Sequence, residues 1–254
     1  MLLLAAVFCT FLAGCTVSKR TEETTEIPTA PEPERERDEN GQFVFDVPEV
    51  MNGLYCSPGL DFANSEDVEG SDYVNCVILS AYAQDDLAGQ IRLAIKNGNA
   101  FWISTQFLER GIVKDKWGKR YMAIAEDWQS EMDKVVATVR EEGAFNYFLG
   151  FYMDEPLFNR FSVKNIYDFS KYNHDTFGKR YFICFAVEGI VPSEYNDGVT
   201  NGHMTKKYST YITDAAYDMY WDFETYKDKY ERINEKMKLE LPDACRIWYI
   251  PWAY

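Results

Sequence analysis

Two adjacent carboxylates close an apolar run and are the residues best suited to chemistry. Asp154 and Glu155 follow the segment 146–153 (NYFLGFYM) and precede Pro156, in the motif GFYMDEP. Paired carboxylates repel each other when both are ionised, which raises the pKa of one and suits it to donate a proton near neutral pH. Adjacent strand residues point to opposite faces, so both side chains reach one pocket only where the strand gives way to a loop. The motif predicts a general acid with a partner; a polar turn that ends the strand is the alternative.

Other polar and aromatic residues fall at the expected ends of strands. They are Gln106, Tyr152, Glu188, Asp218, Tyr220, Trp221, Asp222, Trp252 and Tyr254. The aromatic side chains among them offer flat apolar faces and hydroxyls to a sugar ring, although packing alone also explains aromatics at such positions. Asp222 precedes a charged helix and has the position of an N-cap.

Apolar runs that alternate with amphipathic segments must position these residues. Seven runs are typical of strands: 53–56, 75–80, 100–106, 146–153, 180–187, 214–220 and 246–251. Four segments have apolar residues at helical spacing or cap signals: 85–97, 121–142, 162–177 and 223–240. We expect helices there, with Ser162 as an N-cap, and a long loop over 188–202.

This alternation predicts an α/β fold with a parallel sheet. The chain contains neither G-x-G-x-x-G nor G-x-x-x-x-G-K-[ST], so a (β/α)8 TIM barrel is favoured over a doubly wound nucleotide-binding sheet. About seven strands precede the last residue, so we expect a barrel that is incomplete at the C-terminus; a smaller open fold is the alternative. The site of such a barrel lies at the carboxyl ends of its strands.

The motif GFYMDEP resembles the end of strand four in many glycoside-hydrolase TIM barrels, where an acidic residue protonates the departing sugar oxygen. Order of elements extends the resemblance over roughly residues 50–254, but only this motif is specific. The commonest clan has Asn-Glu here, whereas Asp-Glu is the pair of substrate-assisted N-acetylhexosaminidases. The resemblance implies that Glu155 is the general acid and that Asp154 orients the acetamido group of the sugar, which acts as the nucleophile.

The N-terminus resembles the signal of a bacterial lipoprotein. Residues 1–14 carry no charge, are shorter than the roughly 20 residues of a membrane span, and lead into LAGC, a lipobox pattern that ends at Cys15. The usual Lys or Arg before the apolar stretch is missing. The resemblance implies export, cleavage before Cys15 and lipid anchoring of Cys15 in the cell envelope, at the outer membrane or cell surface. Residues 15–45 are expected to form a disordered acidic linker, and 46–254 the barrel domain.

A second carboxylate is harder to locate. Two-carboxylate hydrolysis needs an acid roughly 5 Å from the first for retention, or roughly 6.5–9.5 Å for inversion. Retaining members of the commonest clan carry it at the end of strand seven, where this chain reads IPWAY. Glu188, Asp218 and Asp222 remain candidates. A non-catalytic carbohydrate-binding lipoprotein on a degenerate barrel is the alternative function.

Composition excludes several other classes. A net charge of −15 argues against nucleic acid as a partner, and aromatics reach 16%, which together fit a carbohydrate ligand. His174 and His203 are isolated, with no H-E-x-x-H, no C-x-x-C and no calcium loop in the chain, so neither metal nor cofactor is expected. Cys76 and Cys184 lie in apolar runs and are expected in the core.

Overall fold

A parallel sheet whose strands follow chain order forms the centre of the molecule. The computed structural model describes residues 35–49, 53–54, 75–81, 86–186, 204–218 and 223–248. The strands are β1 (Gly53–Leu54), β2 (Cys76–Leu79), β3 (Ala100–Ser104), β4 (Glu109–Lys114), β5 (Arg120–Ile124), β6 (Phe148–Asp154), β7 (Arg180–Ala186), β8 (Asp214–Asp218) and β9 (Arg246–Ile247). Seven of them pair in the order β1-β2-β3-β6-β7-β8-β9, all parallel, while β4 and β5 form a separate antiparallel hairpin. The α/β prediction is confirmed, and the sheet has the strand order of a (β/α)8 barrel, left open between β1 and β9 among the described residues.

Helices connect the strands as crossovers. They are α1 (Leu87–Lys96), α2 (Trp128–Glu141), α3 (Val163–Phe177), α4 (Lys206–Ser209) and α5 (Phe223–Glu240). The predicted N-cap of α3 is confirmed: Ser162 accepts from the Asn165 backbone, and the Asn165 side chain accepts from the Ser162 backbone. Such a capping box satisfies N–H groups that the first turn leaves unpaired. No described helix is both long and apolar enough to cross a bilayer.

The two faces of the sheet carry different cores. The face toward the helices includes Phe151 and Met153 of β6, whereas the opposite face carries a smaller cluster that includes Trp102, Tyr152 and Cys184. Cys76 and Cys184 are both buried, which confirms their expected core position. The second face is the inner face of the barrel-ordered sheet, and side chains at its carboxyl edge border the expected site.

A bulge at Gly150 sets which β6 side chains reach the inner face. The β3–β6 register shifts between Phe101 and Trp102, and Gly150 has φ +145°. A Cβ at Gly150 would lie 1.8 Å from the backbone oxygen of Arg180, so only glycine fits. Because of this irregularity Leu149 and Tyr152, three residues apart, share the inner face.

A buried ion pair joins the amino ends of the last strands. Asp214 is wholly buried and accepts from the Arg180 guanidinium, from the Thr213 hydroxyl (2.7 Å) and from Trp248 Nε1 (2.9 Å). These bonds connect β7, β8 and the residue after β9. The buried carboxylate therefore has several hydrogen-bond donors in place of water, as a buried charge requires.

The expected helix over 121–142 is wrong in its first part. Tyr121 belongs to strand β5 of the hairpin, and α2 begins only at Trp128. The turn after β4, in which Asp115 accepts from the backbones of Trp117 and Lys119, folds β4 back onto β5. Residues 121–124 therefore pair with β4, and the helical spacing of this segment describes a helix only from Trp128 onward.

Residues 35–49 pack against the domain, although composition assigns 35–45 to the linker. The Phe45 ring stacks on Tyr147 at 3.9 Å, and the Phe43 N–H donates to the Gly143 carbonyl at 2.7 Å. Arg35 donates to the Lys96 carbonyl. The aromatic contacts attach this otherwise polar segment to the domain. The predicted signal peptide and Cys15 lie outside the described residues.

Candidate active site

Asp154 and Tyr152 meet at the carboxyl end of the fourth strand of the barrel-ordered sheet. Both belong to β6 and, being two residues apart, share its inner face. The Tyr152 hydroxyl donates to Asp154 Oδ1 at 2.8 Å. The ring of Tyr152 is 2% exposed and packs on Phe182, while Asp154 is only partly buried. A buried phenol therefore fixes the orientation of a carboxylate at the carboxyl edge of the sheet.

Glu155 follows Asp154 with a backbone conformation that side chains rarely adopt. The strand ends at Asp154, one residue later than expected, and Glu155 has φ +37°. Its N–H donates to the Cys184 carbonyl of β7 at 2.8 Å, and its carbonyl accepts from Asn159 at 2.8 Å. Such a conformation costs on the order of 1–3 kcal/mol and persists where surrounding bonds impose it. The alternation of faces thus ends at Asp154, which is the condition for both carboxylates to serve one site.

The turn after Glu155 is tied to the hairpin. Pro156 opens the turn that leads to α3, and the Arg160 carbonyl of this turn accepts from the Met122 N–H of β5 at 3.0 Å. The Thr105 hydroxyl donates to the Tyr152 carbonyl at 3.2 Å and ties the end of β3 to β6. The hairpin therefore sits at the same edge of the sheet as Asp154.

Glu109 is a further carboxylate of this edge. It is the first residue of β4 and follows a single 3-10 turn (Thr105–Leu108) that continues from β3. Burial, and secondarily the negative charge of Asp154, raise the pKa of Glu109 to about 7. A carboxyl group of this kind exchanges protons at neutral pH, as general acids and bases must.

Sequence reasoning missed Glu109. The pattern of 100–106 extends the strand to Gln106. It gives no sign of the turn and hairpin that bring Glu109, three positions later, back to the carboxyl edge of the sheet. The available signal was the turn sequence Asp115 to Gly118 between the two short segments 109–114 and 120–124.

Gln106, expected at the end of a strand, lies within the 3-10 turn instead, because β3 ends at Ser104. Its N–H donates to the Ser104 hydroxyl at 3.4 Å. Within the part of the chain that the structure describes, its side-chain oxygen is buried and has no hydrogen-bond partner. The Gln106 amide therefore lies in the turn after β3, and its oxygen is an unused hydrogen-bond acceptor there.

The remaining expected site residues are not brought together by the described structure. Asp218 ends β8 beside Ala186 of β7, and nothing further is described of it. The residues outside the described ranges are Glu188, Tyr220, Trp221, Asp222, Trp252 and Tyr254. Across the described ranges, no cluster of three His, Cys, Asp or Glu side chains has the arrangement of a metal site.

Comparison with known proteins gives distant structural likenesses only. No protein-family model and no curated protein matches the sequence. A chitinase from Chromobacterium violaceum aligns with TM-score 0.46 and 12% identity over 78% of this chain and 67% of its own. The spore cortex-lytic enzyme SleL of Bacillus megaterium aligns with TM-score 0.46 and 14% identity over 78% of this chain, which spans about half (49%) of that enzyme. A GH30 endoxylanase from Clostridium papyrosolvens aligns with TM-score 0.35 and 8% identity, over 73% of this chain and 60% of its own. At these values we transfer neither activity nor residue roles from them.

Proposed function

We propose that the protein is a glycoside hydrolase in which Glu155 is the general acid and Asp154 its partner carboxylate. One observation carries the proposal: the Tyr152 hydroxyl orients Asp154 at the carboxyl end of the fourth strand, and the chain turns at Glu155 immediately afterwards. The carboxyl ends of strands are where barrel enzymes assemble their sites. Adjacent carboxylates released from the strand's alternation suit one acid and one ionised partner.

The proposed substrate is a glycan that carries an N-acetylated sugar. The acetamido oxygen forms a bond to the anomeric carbon while the glycosidic bond breaks. The electron pair of the glycosidic bond leaves with the departing oxygen. Glu155 donates the proton that this oxygen takes up. The ionised Glu155 then takes a proton from the water that attacks the anomeric carbon, and the bond to the acetamido oxygen breaks and returns its electron pair to the acetamido group. Asp154 accepts the N–H of the acetamido group and stabilises the positive charge that develops there. Tyr152 is a positioning residue, because its hydroxyl holds Asp154 in the orientation that this contact needs.

The proposal includes the cellular setting. Cleavage before Cys15 and lipidation of that residue would tether the enzyme to the outer membrane or cell surface, through residues 16–34. The net charge of −15 supports a carbohydrate substrate over a nucleic acid. Incorporation of a labelled fatty acid, lost in Cys15→Ser, tests the anchor independently of catalysis.

A substrate screen tests the reaction. The purified protein is assayed on aryl glycosides, with and without a 2-acetamido group, beside Asp154→Asn and Glu155→Gln. We expect turnover of N-acetylated substrates, and with poor leaving groups it should fall at least about 100-fold in Glu155→Gln. Glu141→Gln, an exposed acid at the end of α2, is the matched control. Glycan binding that survives both site substitutions, without turnover in the unaltered protein, would contradict hydrolysis and favour a carbohydrate-binding protein.

A further inference from the structure

The tip of the β4–β5 hairpin is basic, although the protein as a whole is acidic. Residues 114–120 (KDKWGKR) contain four cations and one carboxylate, whereas the chain carries a net charge of −15. The carboxylate belongs to the turn itself, because Asp115 Oδ1 accepts from the backbone N–H of Trp117 at 2.8 Å and of Lys119 at 2.9 Å. The positive charge is therefore presented on a turn with a defined shape.

The lysines of this tip are not neutralised by the domain. Lys114, Lys116 and Lys119 are exposed, and none of them makes an ion pair within the described ranges. Cations on α3 behave differently, since Lys164 is bound to a carboxylate one turn away, and so is Lys171. The charge of the hairpin tip is therefore available to an anionic group from outside the chain.

Apolar side chains are exposed on the same hairpin. The Trp117 ring at the tip is 81% exposed, and the Lys116 ammonium lies 4.9 Å from its centroid. Ile112, Val113 and Tyr121 are also exposed, and Val113 pairs with Tyr121 across the hairpin. Neighbouring exposed apolar groups, rather than single ones, mark an interaction surface. An indole also offers a flat face on which a sugar ring can stack.

A cavity of about 560 Å³ separates β5 from the first turn of α3. Side chains that line it include Lys119, Tyr121, Ser162 and Asn165. Its volume lies in the range of about 300–1,000 Å³ that is usual for ligand sites. The bond from the Met122 N–H to the Arg160 carbonyl joins β5 to the turn that begins after Glu155. The polar lining and this position beside the proposed site favour a glycan over a lipid surface as the ligand.

We propose that the hairpin and this cavity bind a glycan that carries carboxylates several sugars away from its N-acetylated unit. This rests on the proposed function and names the class of its substrate. Lys114 is five residues beyond Glu109 along β4, at most about 17 Å away at roughly 3.4 Å per residue. A chain of several sugars spans that distance and a single aryl glycoside does not. The acidic pair Asp154 and Glu155 repels a carboxylated sugar, whereas the tip attracts one, so the two charges set the register of the chain.

Binding of two oligosaccharides of equal length tests the assignment, in the full chain carrying Glu155→Gln so that turnover is slow. Hyaluronan hexasaccharide alternates N-acetylated with carboxylated sugars, whereas chitin hexasaccharide is N-acetylated and neutral. We expect Lys114→Gln with Lys116→Gln to weaken hyaluronan binding about 5–10-fold at low salt and to change chitin binding little. Trp117→Ala should weaken both at least about threefold. The matched controls, Lys206→Gln on α4 and Leu239→Ala on α5, are exposed and should change neither.

Other outcomes would overturn the role of the hairpin. No hyaluronan binding, or an affinity that the paired lysine substitutions leave unchanged, contradicts it. Loss of binding to phosphatidylglycerol vesicles in these variants, with both glycans unaffected, would assign the tip to a membrane instead. If a variant fails to fold, salt decides: between about 50 and 300 mM, hyaluronan affinity should fall at least about threefold and chitin affinity stay constant, and equal behaviour contradicts the proposal. Failure of the proposed function is separate, because a protein without turnover still yields these affinities.

Discussion

The hydroxyl of Tyr152 donates a 2.8 Å hydrogen bond to Asp154 from a ring that is 2% exposed. The ring is held by Phe182 and by the strand pairing on both sides of β6, so the hydroxyl has little freedom to turn away. The bond therefore holds the Asp154 carboxylate in one orientation. In the proposed reaction, a preorganised acceptor of this kind costs no reorganisation when a substrate arrives.

Tyr152→Phe removes this bond while keeping the ring. Hydrogen bonds to charged groups contribute about 1.5–3 kcal/mol, so we expect kcat/KM on N-acetylated glycosides to fall about 10–100-fold. Steady-state kinetics on an N-acetylated aryl glycoside, beside the control Glu141→Gln, measures the effect. A Tyr152→Phe variant that keeps the full kcat/KM would contradict the positioning role.

The raised pKa of Glu109 predicts how stability depends on pH. The folded state binds this proton up to about pH 7, while the unfolded state releases it near pH 4.5. The contribution of Glu109 is therefore fully present below pH 4.5 and is lost as pH rises toward 7. Glu109→Gln should gain stability relative to the unaltered protein between pH 5 and 8, by about 1 kcal/mol after allowance for partial solvation. Urea unfolding of both proteins at pH 5 and at pH 8 measures this gain. A difference in stability that is the same at both pH values would contradict the shifted pKa.

Gly150→Ala should destabilise the fold by more than about 2 kcal/mol, because the new Cβ would collide with the Arg180 carbonyl at a positive φ. Gly98→Ala is the matched control: it also has positive φ, +72°, but nothing lies within 4 Å of the added Cβ. We expect it to cost about 1–2 kcal/mol, from conformation alone. Thermal unfolding of both variants distinguishes the clash from the strain, and equal losses would contradict the bulge.

Asp214→Asn should cost about 3–5 kcal/mol, because it leaves the Arg180 charge partly buried without its partner. Asp243→Asn breaks an exposed ion pair with Lys206, at 3.4 Å, and should cost less than about 1 kcal/mol. Urea midpoints of the two variants give the comparison. A small loss in Asp214→Asn would show that Thr213 and Trp248, rather than the ion pair, stabilise this end of the sheet.

The sequence predicts the parallel strands and most helices because their signals are local. The run 180–187 is apolar over nearly all its length, and Ser162 marks the start of α3 before any tertiary contact is considered. Most of β4 is exposed, so it has no apolar face to reveal it. The predicted helix over 121–142 therefore includes residues of β5, the strand that pairs with β4.

The candidate site was predictable only in part for the same reason. Asp154 and Glu155 follow an apolar strand directly, so the sequence places them at its end. Glu109 reaches that edge through a 3-10 turn and a hairpin, and no pattern in a single element reports such a return. The bulge at Gly150, which turns Tyr152 inward, depends on the close approach of Arg180 from the next strand.

The leaving-group dependence of Glu155→Gln tests the central claim most directly. The measurement is kcat/KM for a series of N-acetylated aryl glycosides whose phenols differ in acidity, in the unaltered protein and the variant. If Glu155 protonates the departing oxygen, the variant should lose at least about 100-fold on poor leaving groups, lose little on the best ones, and show a steeper dependence. An equal loss across the series, or none, would contradict Glu155 as the general acid.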